Sequence, residues 1–186
     1  MNPSNYFYFL HAILVGLTIL LYVQKWGEII QLRQYSIYRI VPILWSIVFL
    51  LLFNQYYIQA RIELVKHPML LLLSPSIYYL IGLILFPNSN SLDRKDKFAY
   101  LDYYEYFRKH NRIIMGLAWI GVFLNFTLYW RTTNTTTSIT SYSYDFITQQ
   151  YNYIIVGTLG FAFFVEHKGL MCLLAWLLIV VLGSLG

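Results

Sequence analysis

The sequence predicts an all-α protein, a polytopic transmembrane helical bundle of about six spans with one amphipathic helix on its cytoplasmic side. Three observations predict it. Of 186 residues, 59% are hydrophobic and only 11% charged, whereas soluble domains are about one quarter charged, so a water-facing shell cannot be built. Apolar stretches close to the roughly 20 residues that carry a helix across about 30 Å of hydrocarbon recur along the chain. The polar connections between them differ sharply in Lys and Arg content. Intrinsic disorder is excluded by the same composition, and the whole of 1–186 reads as a single membrane domain.

The first span runs from Tyr6 to Val23, with an amphipathic continuation toward Leu32. It lacks the positive flank and small-residue cleavage site of a secretory leader, so a retained helix is expected. The second covers Ile37 to Ile58, with Pro42 near its start, where a missing amide proton costs least. The third runs from Pro68 to Phe86 and stops at Pro87 and an Asn/Ser turn. The fourth covers Ile113 to Trp130 and ends at Arg131 and a threonine-rich connection. A helical hairpin completes the chain, Tyr151 to Val165 and Gly169 to Leu185, turning through Glu166, His167 and Lys168; its first arm is short.

Basic residues set the orientation. The connections after spans one, three and five hold ten Lys and Arg, against three in the connections on the other side. The positive-inside rule then places the rich connections in the cytoplasm and both termini outside an inner membrane. Eighteen tyrosines, many near predicted span ends and Tyr22 among them, fit a ring buried at the acyl boundary with its hydroxyl in water.

The longest cytoplasmic segment, 88–112, opens with a turn and the charge cluster Asp93 to Lys97. Phe98, Leu101, Tyr104 and Phe107 or Arg108 then recur at helical spacing, with Asp102, Glu105 and Lys109 on the other face. Glu105 stands four residues before Lys109, the favoured order for an exposed pair. The pattern predicts an amphipathic helix on the inner leaflet leading into span four. Asp102, Glu105, Arg108 and Lys109 are its candidate contacts, either to lipid headgroups or to a cytoplasmic partner.

Polar residues within or beside spans are the remaining candidates. Asn54 and Gln55 near the end of span two serve either as interhelical glue or as pore contacts. Glu166 and His167 read as wetted turn residues, or as a pore ring in an oligomer. The four histidines show no i, i+4 pair for a metal, and no metal or cofactor is expected. Arg61 and His67 have the spacing found in a family of metal-independent ribonucleases, but Ile62 occupies the place of the usual polar residue and the connection faces away from cytoplasmic RNA. Direct nucleic-acid binding is not expected. Cys172 stands alone and cannot form an internal disulfide.

Trp45 followed by Phe49, then Asn54-Gln55, a proline-bearing third span ending Leu85-Phe86-Pro87, and Asp102-Tyr103-Tyr104 leading to Asn111-Arg112 resemble a group of small bacterial multi-pass integral membrane proteins. The resemblance covers about residues 6 to 130 and implies a fold, not an activity. In size and hydrophobic layout the chain is also similar to the membrane proteins that accompany type VI-B CRISPR effectors, which adds antiviral defence to the functions considered.

The leading expectation is a non-enzymatic, oligomeric inner-membrane protein, channel-like or a defence accessory, that alters or regulates membrane permeability. One alternative is a membrane-embedded enzyme or cofactor protein acting on a lipid or quinone through His11 and His167. Another is a structural or assembly subunit of a larger membrane complex. The expected partners are the lipid bilayer and either further copies of the chain or the other subunits of such a complex.

Overall fold

A computed structural model describes residues 3–31, 40–63, 68–86, 103–133 and 142–184, with side chains described over most of these ranges. The described residues form six α-helices and no strand: α1 (Pro3–Gln31), α2 (Ile40–Glu63), α3 (Pro68–Leu85), α4 (Tyr103–Thr133), α5 (Tyr142–Phe164) and α6 (Lys168–Gly183). The all-helical class is as expected. By length and composition, one described helix, Tyr6–Ile29, is long and apolar enough to cross a membrane, whereas Ile40–Asn54, Leu72–Leu85, Tyr151–Phe164 and Lys168–Gly183 are shorter apolar helices. Only 17% of the apolar window of α1 is buried, so α1 is not the central helix of a water-soluble core.

α1 includes the expected continuation, through Gln24, Lys25 and Glu28 to Gln31, because these residues are good helix formers and no proline stops them. Other boundaries differ from the hydropathy reading. α5 begins at Tyr142 instead of Tyr151, which makes the short first arm of the hairpin a 23-residue helix. The residues from Tyr103 to Arg112, expected as a surface helix distinct from span four, are the first turns of one continuous 31-residue α4. The earlier part of the expected surface helix, including Asp102, lies outside the described residues, as do the charge cluster at 93–97 and His67. The threonine-rich connection lies partly outside them, at 134–141.

Helices α2, α3 and α4 all touch one another and form the centre of the bundle, with α1 on α3, α5 on α4, and α6 between α2 and α5. Local chemistry fixes these seams. In α3, Pro75 cannot donate a backbone hydrogen bond; Thr18 Oγ1 of α1 binds Leu14 O at 2.7 Å and approaches Pro75 O at 3.4 Å. One turn further on, Tyr22 Oη donates to Tyr78 O at 3.2 Å. The two contacts advance together along both chains, so α1 and α3 run parallel. Gly82 leaves room for this approach, since a Cβ there would stand 2.8 Å from the Tyr22 ring. Small residues at such a seam let helix backbones approach closely.

The central triad is filled by Trp45, Phe49, Tyr78, Phe107 and Ile114, all fully buried, with Trp45 and Phe49 rings 5.7 Å apart and Phe53 and Tyr78 rings 5.5 Å apart. Trp26 of α1 donates to Ser46 Oγ of α2 at 2.7 Å, and that hydroxyl donates to Ile43 O at 2.6 Å. Tyr22 therefore belongs to the packed interior, not to the interface ring expected of it: α3 packs against this turn of α1, and Gly82 leaves room for the ring.

Candidate functional site

The chemistry of this chain concentrates where the start of α4 meets the turn between α5 and α6. On α4, Phe107, Asn111, Ile114, Met115, Ala118 and Val122 are buried, an i, i+4, i+7 stripe that faces the bundle. Glu105, Arg108, Lys109 and Arg112 are exposed, outside that stripe. Glu105 in the first turn suits the positive end of the helix dipole.

Two side chains of α4 reach across to the end of α5. The last four carbonyls of a helix have no partner within it, and α5 has no basic residue in its last turn. Asn111 Nδ2 donates to one of those carbonyls, Ala162 O, at 2.9 Å, and Val165 N shares the same acceptor at 3.4 Å. Tyr104 Oη donates to Glu166 O within the turn. His167 then opens α6 in an extended conformation, with no side-chain cap, and its carbonyl accepts from Met171 N at 3.0 Å. α4 thus fixes both the end of α5 and the path into α6.

The neighbouring Tyr106 and His110 stack at 4.3 Å between ring centroids, and His110 Nδ1 lies 2.9 Å from Tyr106 O. Partial burial pushes the Tyr106 phenol above its ordinary value, so it stays neutral at physiological pH. Trp45 Nε1 on α2, Ser74 Oγ on α3 and Asn111 Oδ1 on α4 are buried without a hydrogen-bond partner.

The structure distributes the candidates named from sequence as follows. Glu166 and His167 are both exposed in the α5–α6 turn, beside the Tyr104 contact. Glu105, Arg108 and Lys109 are exposed on the first turns of α4. Asn54 is exposed on α2, two turns past Ser46, and does not point into the bundle interior. Gln55 lies on α2 with its side chain outside the described residues, as is that of Arg61, and Asp102 lies outside them altogether. His11 is buried on α1, which packs mainly on α3, whereas His167 is exposed on a turn that meets α4. These two histidines occupy different parts of the bundle. No group of three His, Cys, Asp or Glu side chains able to hold a metal ion is found among the described residues.

Asn111 and Tyr104, the residues that tie α4 to the hairpin, carry no motif that assigns them this role. The only sequence signal is negative: α5 ends without a glycine cap or a basic residue, so its free carbonyls must be met from elsewhere. Compared with known protein families, curated proteins and solved structures, the chain matches none.

Proposed function

We propose that this chain is an oligomeric, polytopic inner-membrane protein that alters or regulates membrane permeability. The first turns of α4 receive a cytoplasmic signal and pass it to the α5–α6 hairpin. The observation that carries the reading is the pair of α4 contacts, Asn111 to Ala162 O and Tyr104 to Glu166 O, which lie directly beside the exposed charges of α4. A displacement of that surface moves the groups that hold the hairpin.

The multi-pass reading draws on the character of the exposed surface. Tyr6, Phe9 and Leu20 on α1, Leu80 and Leu83 on α3, Ile120 and Phe123 on α4, Phe161 and Phe164 on α5, and Leu173, Trp176 and Val180 on α6 are all exposed. Contiguous apolar patches of this kind are rare on soluble monomers. Hydrocarbon contact accounts for them on five helices at once, including those too short to qualify singly. α6 with 16 residues reaches about 24 Å at 1.5 Å per residue, which local thinning of the bilayer or flanking polar groups accommodate.

The centre of one protomer is closed by Trp45, Phe49, Tyr78 and Phe107, so an ion path would run between copies, with Glu166 and His167 near its inner mouth. The resemblance to small bacterial multi-pass proteins supports this layout, and a place in antiviral defence is an analogy of size and hydrophobic layout. Reconstitution into liposomes loaded with a potassium-sensitive dye tests the proposal. Flux above empty vesicles, altered by Tyr104→Phe and Asn111→Leu, is expected. Wild-type vesicles indistinguishable from empty ones, at every protein-to-lipid ratio and with candidate partners added, would remove it.

A further inference from the structure

We propose that the outward bases of α4 and the adjoining α5–α6 turn form a docking site for the headgroup of an anionic phospholipid. The inference rests on the multi-pass reading above and adds a ligand class to it. Along the exposed face of α4 the polarity changes within one residue: Arg108, Lys109 and Arg112 are exposed, and immediately after them Ile113, then Ile120, face outward as well. The hairpin repeats the change, with exposed His167 followed by exposed Leu170 and Leu173.

These two borders belong to one surface. Tyr104 holds the carbonyl of Glu166, and Arg108 follows Tyr104 by one turn, on the same side of the helix. Its guanidinium therefore stands at the edge of the seam between α4 and the turn. These turns carry four bases, Arg108, Lys109, Arg112 and Lys168, and two acids, Glu105 and Glu166, a positive excess. An anionic amphiphile satisfies both halves of the surface, its phosphodiester on the guanidinium groups and its acyl chains along Ile113 and Leu170. A zwitterionic lipid would bring its own cation against the bases.

Each Lys or Arg at an anionic surface contributes about 1 kcal/mol, which is roughly fivefold in affinity. The test uses the full-length protein in nanodiscs of phosphatidylcholine, with trace spin-labelled phosphatidylglycerol or spin-labelled phosphatidylcholine. Electron spin resonance then reports the immobilised fraction of each. The wild type is expected to immobilise the phosphatidylglycerol preferentially, and the preference is expected to fall in 1 M NaCl. Arg108→Gln/Lys109→Gln/Arg112→Gln should lower the relative association by one to two orders of magnitude, with helix content and gel-filtration profile unchanged. Arg108→Lys/Arg112→Lys should retain most of the preference. Equal immobilisation of the two lipids by the wild type, or full preference in the triple Gln variant, would overturn the site while leaving the multi-pass reading intact. Failure of the protein to immobilise either lipid would overturn both.

Discussion

Replacing Gly82 by alanine isolates the α1–α3 seam with a single methyl group. An added Cβ would stand 2.8 Å from Cε2 of Tyr22 and 2.9 Å from Cδ2 of Leu21, against a favourable carbon–carbon separation of about 3.5–4.0 Å. The leucine methyl can swing aside. The tyrosine ring cannot do so cheaply, because it is fully buried and its hydroxyl is bound to Tyr78 O. Overpacking of this kind costs about 1–3 kcal/mol, and the Gly-to-Ala gain in helix propensity returns at most about 1 kcal/mol. A net loss of up to about 2 kcal/mol follows for Gly82→Ala. Gly116 on α4 has nothing within 4 Å of its Cβ position, so Gly116→Ala should be neutral or slightly stabilising. Reversible unfolding in mixed micelles, titrated with SDS and followed by circular dichroism, measures both. In a Tyr22→Leu background the penalty at Gly82 should shrink, since the two sites share one contact. Equal stability of the two alanine variants, or an undiminished Gly82 penalty without the Tyr22 ring, would refute the close approach of α1 and α3.

Three further outcomes are expected. Asn111→Leu removes the donor to Ala162 O and should cost about 0.6–1.7 kcal/mol, the range of interhelical hydrogen bonds in membranes, with faster amide exchange confined to the end of α5 and the turn at 165–167. Ser46→Ala deletes the acceptor of the Trp26 indole, which lies 2.7 Å away; a loss of similar size and a shift in Trp26 emission are expected, measured by the same titration and by fluorescence of a variant that keeps only that tryptophan. In single-tryptophan variants within vesicles of brominated lipid, Trp119 and Trp176, 44% and 58% exposed, should be strongly quenched. Trp45, fully buried, should be protected in the same experiment.

Much of the helical layout was legible because apolar runs and prolines mark it directly. Pro42 falls within the first turn of α2, and Pro68 opens α3. Hydropathy failed where a helix is built from polar residues. Tyr142 to Gln150 contains Ser, Asp, Thr and Gln, which hide a helix from an apolar-run criterion, and α5 begins there nonetheless. It failed again between Tyr103 and Ile113, where the change from charged to apolar residues looks like a boundary but falls within one continuous helix. The exposed charges Glu105, Arg108 and Lys109 were readable as a face, since they recur at helical spacing. The capping of α5 by Asn111 was not, because donor and acceptor are separated by 51 positions and no local pattern links them. Tyr22 shows the same limit: its ring type fits an interface, and only the neighbouring Gly82 reveals that another helix receives it.

The central claim is a bundle threaded through the bilayer with its charged α4 surface and hairpin turn on the cytoplasmic side. Cysteine accessibility tests it most directly, since Cys172 is the sole native thiol and Cys172→Ala clears the background. Single replacements Ser4→Cys, Lys109→Cys and His167→Cys are then treated with a membrane-impermeant maleimide on intact cells and after permeabilisation. Labelling of position 4 in intact cells, with positions 109 and 167 labelled only once the membrane is opened, is the predicted result. Labelling of 109 or 167 from outside, or release of the chain from membranes by alkaline carbonate, would contradict the account.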